Sequence, residues 1–182
     1  MIHQLHHNAY RCRDSEQTRA LYEDFLGLPL AGTLEITQTK SGRDTHTLHT
    51  FYRLAEGSFL AFFEAPDMPF DFKPQHDFDL HIALGVDADT LQHMLAKGRT
   101  EGVETRGVSD HGFIHSIYFR DPSGYVIELT TPQPGHDQAM DHHVSADLQR
   151  AAHDQQQRRV GRSPASLGQR QITVQPQRTG AE

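Results

Sequence analysis

Along this chain the spacing of hydrophobic and polar positions changes from strand-like to helix-like and back, twice, in the same order. Residues 2–11 alternate as a strand does, with Leu5, His7 and Ala9 on one face. Asp14 then opens a helix, with Gln17 as its capping-box partner and Ala20, Leu21, Phe25 and Leu26 as its apolar stripe. Gly27 ends it. Apolar or mixed runs follow at 33–38, 46–53 and 58–64, separated by SGRD and AEG turns. The order then repeats. A strand at 79–85 precedes a helix capped by Asp87 or Asp89, which carries Leu91, Met94 and Leu95. Strands at about 104–108, 113–120 and 125–131 complete it. The pattern predicts an α+β fold of two tandem βαβββ modules, residues 2–66 and 79–131, with a Pro- and Asp-rich linker at 67–78.

Residues 132–182 differ in kind. They are rich in Gln, Arg, Ser, Pro and His and nearly lack large apolar side chains. This composition predicts a polar, disordered C-terminal tail, with a helix at about 143–159. A hydrophobic content of 36% and a mean hydropathy of −0.64 fit a folded part followed by such a tail. The net charge of −7 argues against nucleic acid or an anionic membrane as a partner. The single cysteine, Cys12, excludes an internal disulfide framework. No apolar run approaches the roughly 18 residues that span a bilayer, and MIHQLHHNAYRCRD has no apolar core of the signal-peptide kind. The expectation is a soluble, cytoplasmic protein acting on a small molecule.

The stretch YFRDPSGYVIEL at 118–129 carries the chemistry. DPSG is a tight turn, so Glu128 lies on the return strand of a hairpin, between Ile127 and Leu129. A carboxylate in an apolar strand must be protonated, paired or bound to a metal. The two modules place comparable residues at comparable points. His7 and His81 lie in the first strands; Glu64 and Glu128 end the last ones. A pseudo-twofold between the modules would bring all four together. Two histidines and one carboxylate suit Fe(II) with open positions; a second carboxylate suits Ni, Zn, Mn or Co. Either way a divalent metal would neutralise Glu128. Of the 14 histidines, His136, His142, His143 and His153 lie in the polar tail, outside this constellation.

Three segments carry a family resemblance: HHNAYRCRD at 6–14, LHIALGV at 80–86 and HSIYFRDPSGYVIEL at 115–129. Over residues 2–131 the chain resembles the vicinal oxygen chelate superfamily. That group includes glyoxalase I, extradiol dioxygenases, and fosfomycin and bleomycin resistance proteins. The resemblance implies a cup-shaped, open mixed sheet around one metal, held by His7, His81 and Glu128 with Glu64 as a possible fourth ligand. It favours His7 over His6, because the family ligand usually stands seven residues before the helix-opening Asp, here Asp14. It also implies a homodimer, with the site built inside one chain or across two.

Two branches imply different chemistry. The His111-Gly112 pair, and Tyr118 ten residues before Glu128, are similar to extradiol dioxygenases. There a catechol-like substrate chelates Fe(II), and Tyr118 and His111 would hydrogen-bond its oxygens. The family's acid–base histidine has no counterpart: Ser58 and Phe59 stand in that neighbourhood, and the nearest histidine is His49, one strand earlier. The alternative is a glyoxalase I-type isomerase acting on a hemithioacetal, with Glu64 moving the proton. The third is a metal-free binding or resistance protein. Leu60 and Phe62, on the strand face of Glu64, together with Phe51, are the expected apolar wall of the cavity.

Overall fold

The structure, a computed structural model, describes residues 1–140 and 145–160. It divides into two compact units, Met1–His136 and Asp137–Glu182.

The first unit holds both modules. Module one runs β1 (His7–Arg11), α1 (Ser15–Arg19) continuing as a π-helical turn (Ala20–Phe25), β2 (Leu30–Gln38), β3 (Asp44–Arg53) and β4 (Phe59–Glu64). Module two runs β5 (His81–Gly85), α2 (Ala88–Glu101), β6 (Thr105–Asp110), β7 (Ile114–Arg120) and β8 (Val126–Pro132). The caps follow the sequence. Asp14 Oδ1 accepts the Gln17 N–H at 2.8 Å, and Asp87 Oδ1 accepts the Thr90 N–H at 2.7 Å. Of the two candidates for the second cap, Asp87 is therefore the one used.

Each module forms its own four-stranded mixed sheet, ordered β1-β4-β3-β2 and β5-β8-β7-β6. The first strand pairs parallel with the last, and the other ladders are antiparallel. The expected α+β fold of two tandem βαβββ modules is present, its mixed sheet built as two four-stranded halves with β1 and β5 each at an edge.

Register sorts the side chains, because residues paired in a ladder share a face and neighbours along a strand do not. In module one, His7 pairs with Phe59, and Phe51 with Ala61, on one face. Leu60, Phe62, Tyr52 and Glu64 take the other. That second face packs against the π-helical turn that continues α1: the Tyr22 ring lies 4.6 Å from Phe62 and 5.5 Å from Tyr52. Phe62 is fully buried. The expected wall is therefore split between faces, with Leu60 and Phe62 on the helix-packed face and Phe51 beside His7.

The helix-bearing faces of the two modules share one core, from Tyr22 and Phe25 through Leu91 and Met94 to Ile117, Phe119 and Ile127. Phe25 meets Phe119 edge to face at 5.2 Å, and Tyr22 Oη donates to Asp121 at 3.3 Å. The linker is also docked. Gln75 N donates to Gly124 O at 2.8 Å, and Arg13 donates to Phe72 O at 2.9 Å. Gly124 has φ 101° and lies against the Lys73 carbonyl, so a side chain there would collide with the linker.

The second unit, by itself, contains the helix α4 (Ser145–Val160), close to the expected 143–159; α3 (His136–Met140) spans the division between the units. β8 runs through Pro132, the first residue of the polar stretch. The remainder of the tail, 141–144 and 161–182, lies outside the described residues.

Candidate metal and substrate site

The hairpin of β7 and β8 sets Tyr118 directly opposite Glu128, while β5 sets His81 two residues back along the same face. The side chains converge accordingly. His81 Nε2 lies 3.3 Å from Glu128 Oε2, and Tyr118 Oη lies 3.5 Å from Glu128 Oε1. His111, in the turn between β6 and β7, places its Nε2 2.9 Å from Tyr118 Oη. That turn is fixed by His111 N donating to Ile114 O at 3.0 Å and Gly112 N to Asp110 Oδ1 at 2.7 Å. Glu128 is only 6% exposed, as the strand pattern required. The Tyr118 hydroxyl is pushed above its ordinary pKa, first by burial and then by the charge of Glu128.

The His81 tautomer follows from its other nitrogen. Nδ1 lies 2.7 Å from the Asp77 carbonyl, which can only accept, so Nδ1 carries the proton. In the neutral ring Nε2 then presents a lone pair to a carboxylate. A proton or a divalent metal can bridge this pair, and an imidazole nitrogen with a carboxylate oxygen is a fitting donor set for the latter.

Asp77 in turn takes a two-pronged contact from Arg106, Nη2 to Oδ1 at 2.8 Å and Nη1 to Oδ2 at 3.0 Å. Arg106 pairs with Tyr118 in the ladder, and its guanidinium carbon stands 5.1 Å from that ring's centre. The ion pair holds the Asp77 carboxyl below its ordinary pKa.

The other predicted site residues lie elsewhere. His7 is on module one's sheet, its Nδ1 2.8 Å from His6 Nδ1 and its ring 5.7 Å from Phe51 and 6.3 Å from His49. Among the described residues, no three His, Cys, Asp or Glu side chains converge closely enough to hold a metal. Glu64 is on the opposite, helix-packed face, where Oε2 accepts the Ser15 N–H at 2.7 Å. It binds the start of α1 and does not stand beside His7. The position that register matches to Glu128 is Ala61. The sequence carried this signal: Glu128 is four residues beyond Gly124, and Ala61 is four beyond Gly57. Counting from the strand end gave the wrong face because Glu64 is three residues past Ala61, an odd step.

Sequence reasoning missed Asp77 and Arg106, whose meeting across 29 residues leaves no local signal. It placed His49 one strand away from the site without its face. Alternation with Phe51 puts it on the His7 face, buried, stacked on Phe63 at 3.7 Å, with Nδ1 3.0 Å from Phe62 O. A cleft of about 700 Å³ separates β1 from β5, lined by Tyr10, Leu28, Leu60, His81, Leu84 and Met94 among others.

Tandem βαβββ modules, each with its first strand paired parallel to its last, define the fold class. The sequence pattern of the Glyoxalase/Bleomycin resistance protein/Dioxygenase superfamily matches residues 4–129, and the chain belongs to that superfamily. Among curated protein sequences none matches it. Solved structures share the fold. Fosfomycin resistance protein FosX from Listeria monocytogenes is 19% identical over 75% of this chain and 98% of its own, with a TM-score of 0.58. A glyoxalase/dioxygenase from Nostoc punctiforme is 22% identical over 71% of this chain and 91% of its own, with a TM-score of 0.54. TnmS3, an antibiotic-binding protein from Streptomyces sp. CB03234, is 20% identical over 72% and 98%, with a TM-score of 0.53. A FosX mutant was solved with Mn(II) and 1S,2S-dihydroxypropylphosphonic acid.

Proposed function

We propose that this protein is a metal-dependent enzyme that binds a small molecule through two adjacent oxygens, and that its reaction is extradiol cleavage of a catechol-like ring by O2. The observation that carries the reading is the hydrogen-bonded row His111–Tyr118–Glu128 beside His81. It sets a phenol hydroxyl and an imidazole next to the carboxylate, where the oxygens of a bound diol would lie. A divalent metal, Fe(II) in this reading, would be held by His81 and Glu128 and would supply Lewis acidity and a chelation point for both oxygens. Tyr118, kept protonated by its raised pKa, donates to a substrate oxygen as negative charge grows there. His111 orients that hydroxyl and takes up or returns its proton.

The third ligand in this proposal is His7 of a second copy. Two features support it: His7 opens the strand equivalent to β5, and its own face carries Ala61 where Glu128 stands in module two. Each chain then contributes half of each of two sites in a homodimer. The glyoxalase-type alternative is less well supported, since Glu64, its proposed base, accepts the Ser15 N–H.

The test is oxygen uptake by the full chain, prepared anaerobically and reconstituted with Fe(II), with a panel of catechols. The His81→Ala protein serves as the control for metal bound by other histidines. Uptake with a yellow ring-opened product, absent in the control, is the expected result. Metal bound at His81 without uptake across the panel would overturn the dioxygenase reading. Metal binding indifferent to His81 would overturn the metal site itself.

A further inference from the structure

We propose that Arg106 is a positioning residue of this site. Through Asp77 it holds the His81 imidazole with Nε2 toward Glu128, and through its charge over the ring it holds Tyr118. The inference rests on the reading of His81 and Glu128 as the chain's metal-binding pair.

The contacts form one path. Arg106 grips both oxygens of Asp77, and the Asp77 backbone carbonyl accepts from His81 Nδ1 at 2.7 Å. The same guanidinium lies 5.1 Å from the centre of the Tyr118 ring. His81 and Tyr118 are therefore braced by one side chain. The ladder explains why it reaches them: Arg106 pairs with Tyr118 just before the β-bulge between Gly107 and Ser109 re-aims the rest of β6. Asp77 belongs to the linker, in a short turn where Asp79 N donates to His76 O at 2.9 Å. The linker is thus part of the site's support, docked at Gly124 and clamped at Asp77.

Stability alone does not account for this pair. The side chains are 45% and 31% exposed, and ion pairs of that kind contribute about 0–1 kcal/mol. Geometry is what the fork adds. Two N–H···O bonds fix the turn that aims the carbonyl, and a lysine cannot reproduce that fork.

The experiment reads His81 directly. Imidazole nitrogens of the metal-free, full-length protein are observed by 15N NMR at about pH 8.5, above the ordinary range of imidazole protonation. The His81 signals are identified by their loss in His81→Gln. The wild type is expected to show His81 fixed as the Nδ1–H tautomer. Arg106→Ala and Asp77→Ala are expected to give a mixture of tautomers with the backbone spectrum still dispersed, and Arg106→Lys not to restore the fixed form. Mn(II) affinity is expected to fall by about 10- to 100-fold in the two alanine variants. A single Nδ1–H tautomer in both alanine variants would overturn the proposal. The tautomer is read without metal, so the answer is separate from the metal reading. That reading fails instead if wild type and His81→Gln bind Mn(II) alike.

Discussion

The two modules share a backbone plan and differ in what it carries. In each, the first-strand histidine pairs with the opening residue of the last strand, His7 with Phe59 and His81 with Val126. Two residues further along, the last strand offers Ala61 in module one and Glu128 in module two. The neighbouring strand sets Phe51 against Ala61, and Tyr118 against Glu128. The same three places therefore hold His, Ala and Phe in one copy, and His, Glu and Tyr in the other. A duplicated fold fixes where a site can be built. The polarity of two side chains decides which copy builds it, because only module two can balance a buried carboxylate with donors around it.

The largest test of that asymmetry is Glu128→Ala. Metal binding at His81 and turnover should both vanish while circular dichroism shows the fold retained; full activity would remove the metal from the mechanism. Tyr118→Phe should cost about 10²-fold in kcat with metal occupancy kept, and an unchanged rate would turn the reading toward proton-transfer chemistry.

Mixing tests whether the halves come from different chains. Inactive His7→Ala and inactive Glu128→Ala proteins, unfolded and refolded together in equal amounts, should recover about a quarter of wild-type activity, since half the dimers then carry one intact site. No recovery would place both halves in one chain.

The turns before the last strands differ too. Glu56 is exposed, whereas Asp121 is buried and accepts N–H bonds from Ser123 and Tyr125 at 2.9 and 2.8 Å. Burial holds the Asp121 carboxyl above its ordinary pKa. The native state therefore binds this proton more tightly than the unfolded chain does. Its contribution to stability is full below the ordinary carboxyl range and is lost as pH rises through the raised value. Urea unfolding from about pH 3.5 to 7 should show wild type losing stability relative to Asp121→Asn as pH rises. Parallel curves would contradict this.

The smallest effect is expected at Glu64. Glu64→Gln should lower stability by about 0.3–1 kcal/mol by weakening the negative end-group at α1, with turnover unchanged. A large loss of kcat would return Glu64 to the chemistry.

The sequence by itself determined what rests on short-range rules. The doubled strand–helix–strand order, the caps at Asp14 and Asp87, and the DPSG turn follow from periodicity and turn chemistry. The facing of Tyr118 and Glu128 follows too, because a tight turn joins two strands whose register it sets. The face of Glu64 follows as well: it stands seven residues beyond the turn glycine Gly57, whereas Glu128 stands four beyond Gly124, an odd difference that puts them on opposite faces. Tertiary structure alone decided the rest. Arg106 meets Asp77 because the linker docks on module two. His7 stands apart from His81 and Glu128 because the modules are fixed by their helix sides, through contacts such as Phe25 on Phe119. Hydrogen-bond and alternation rules act over a few residues. The placement of one sheet against another is set by apolar burial summed over distant segments, which no local spacing records.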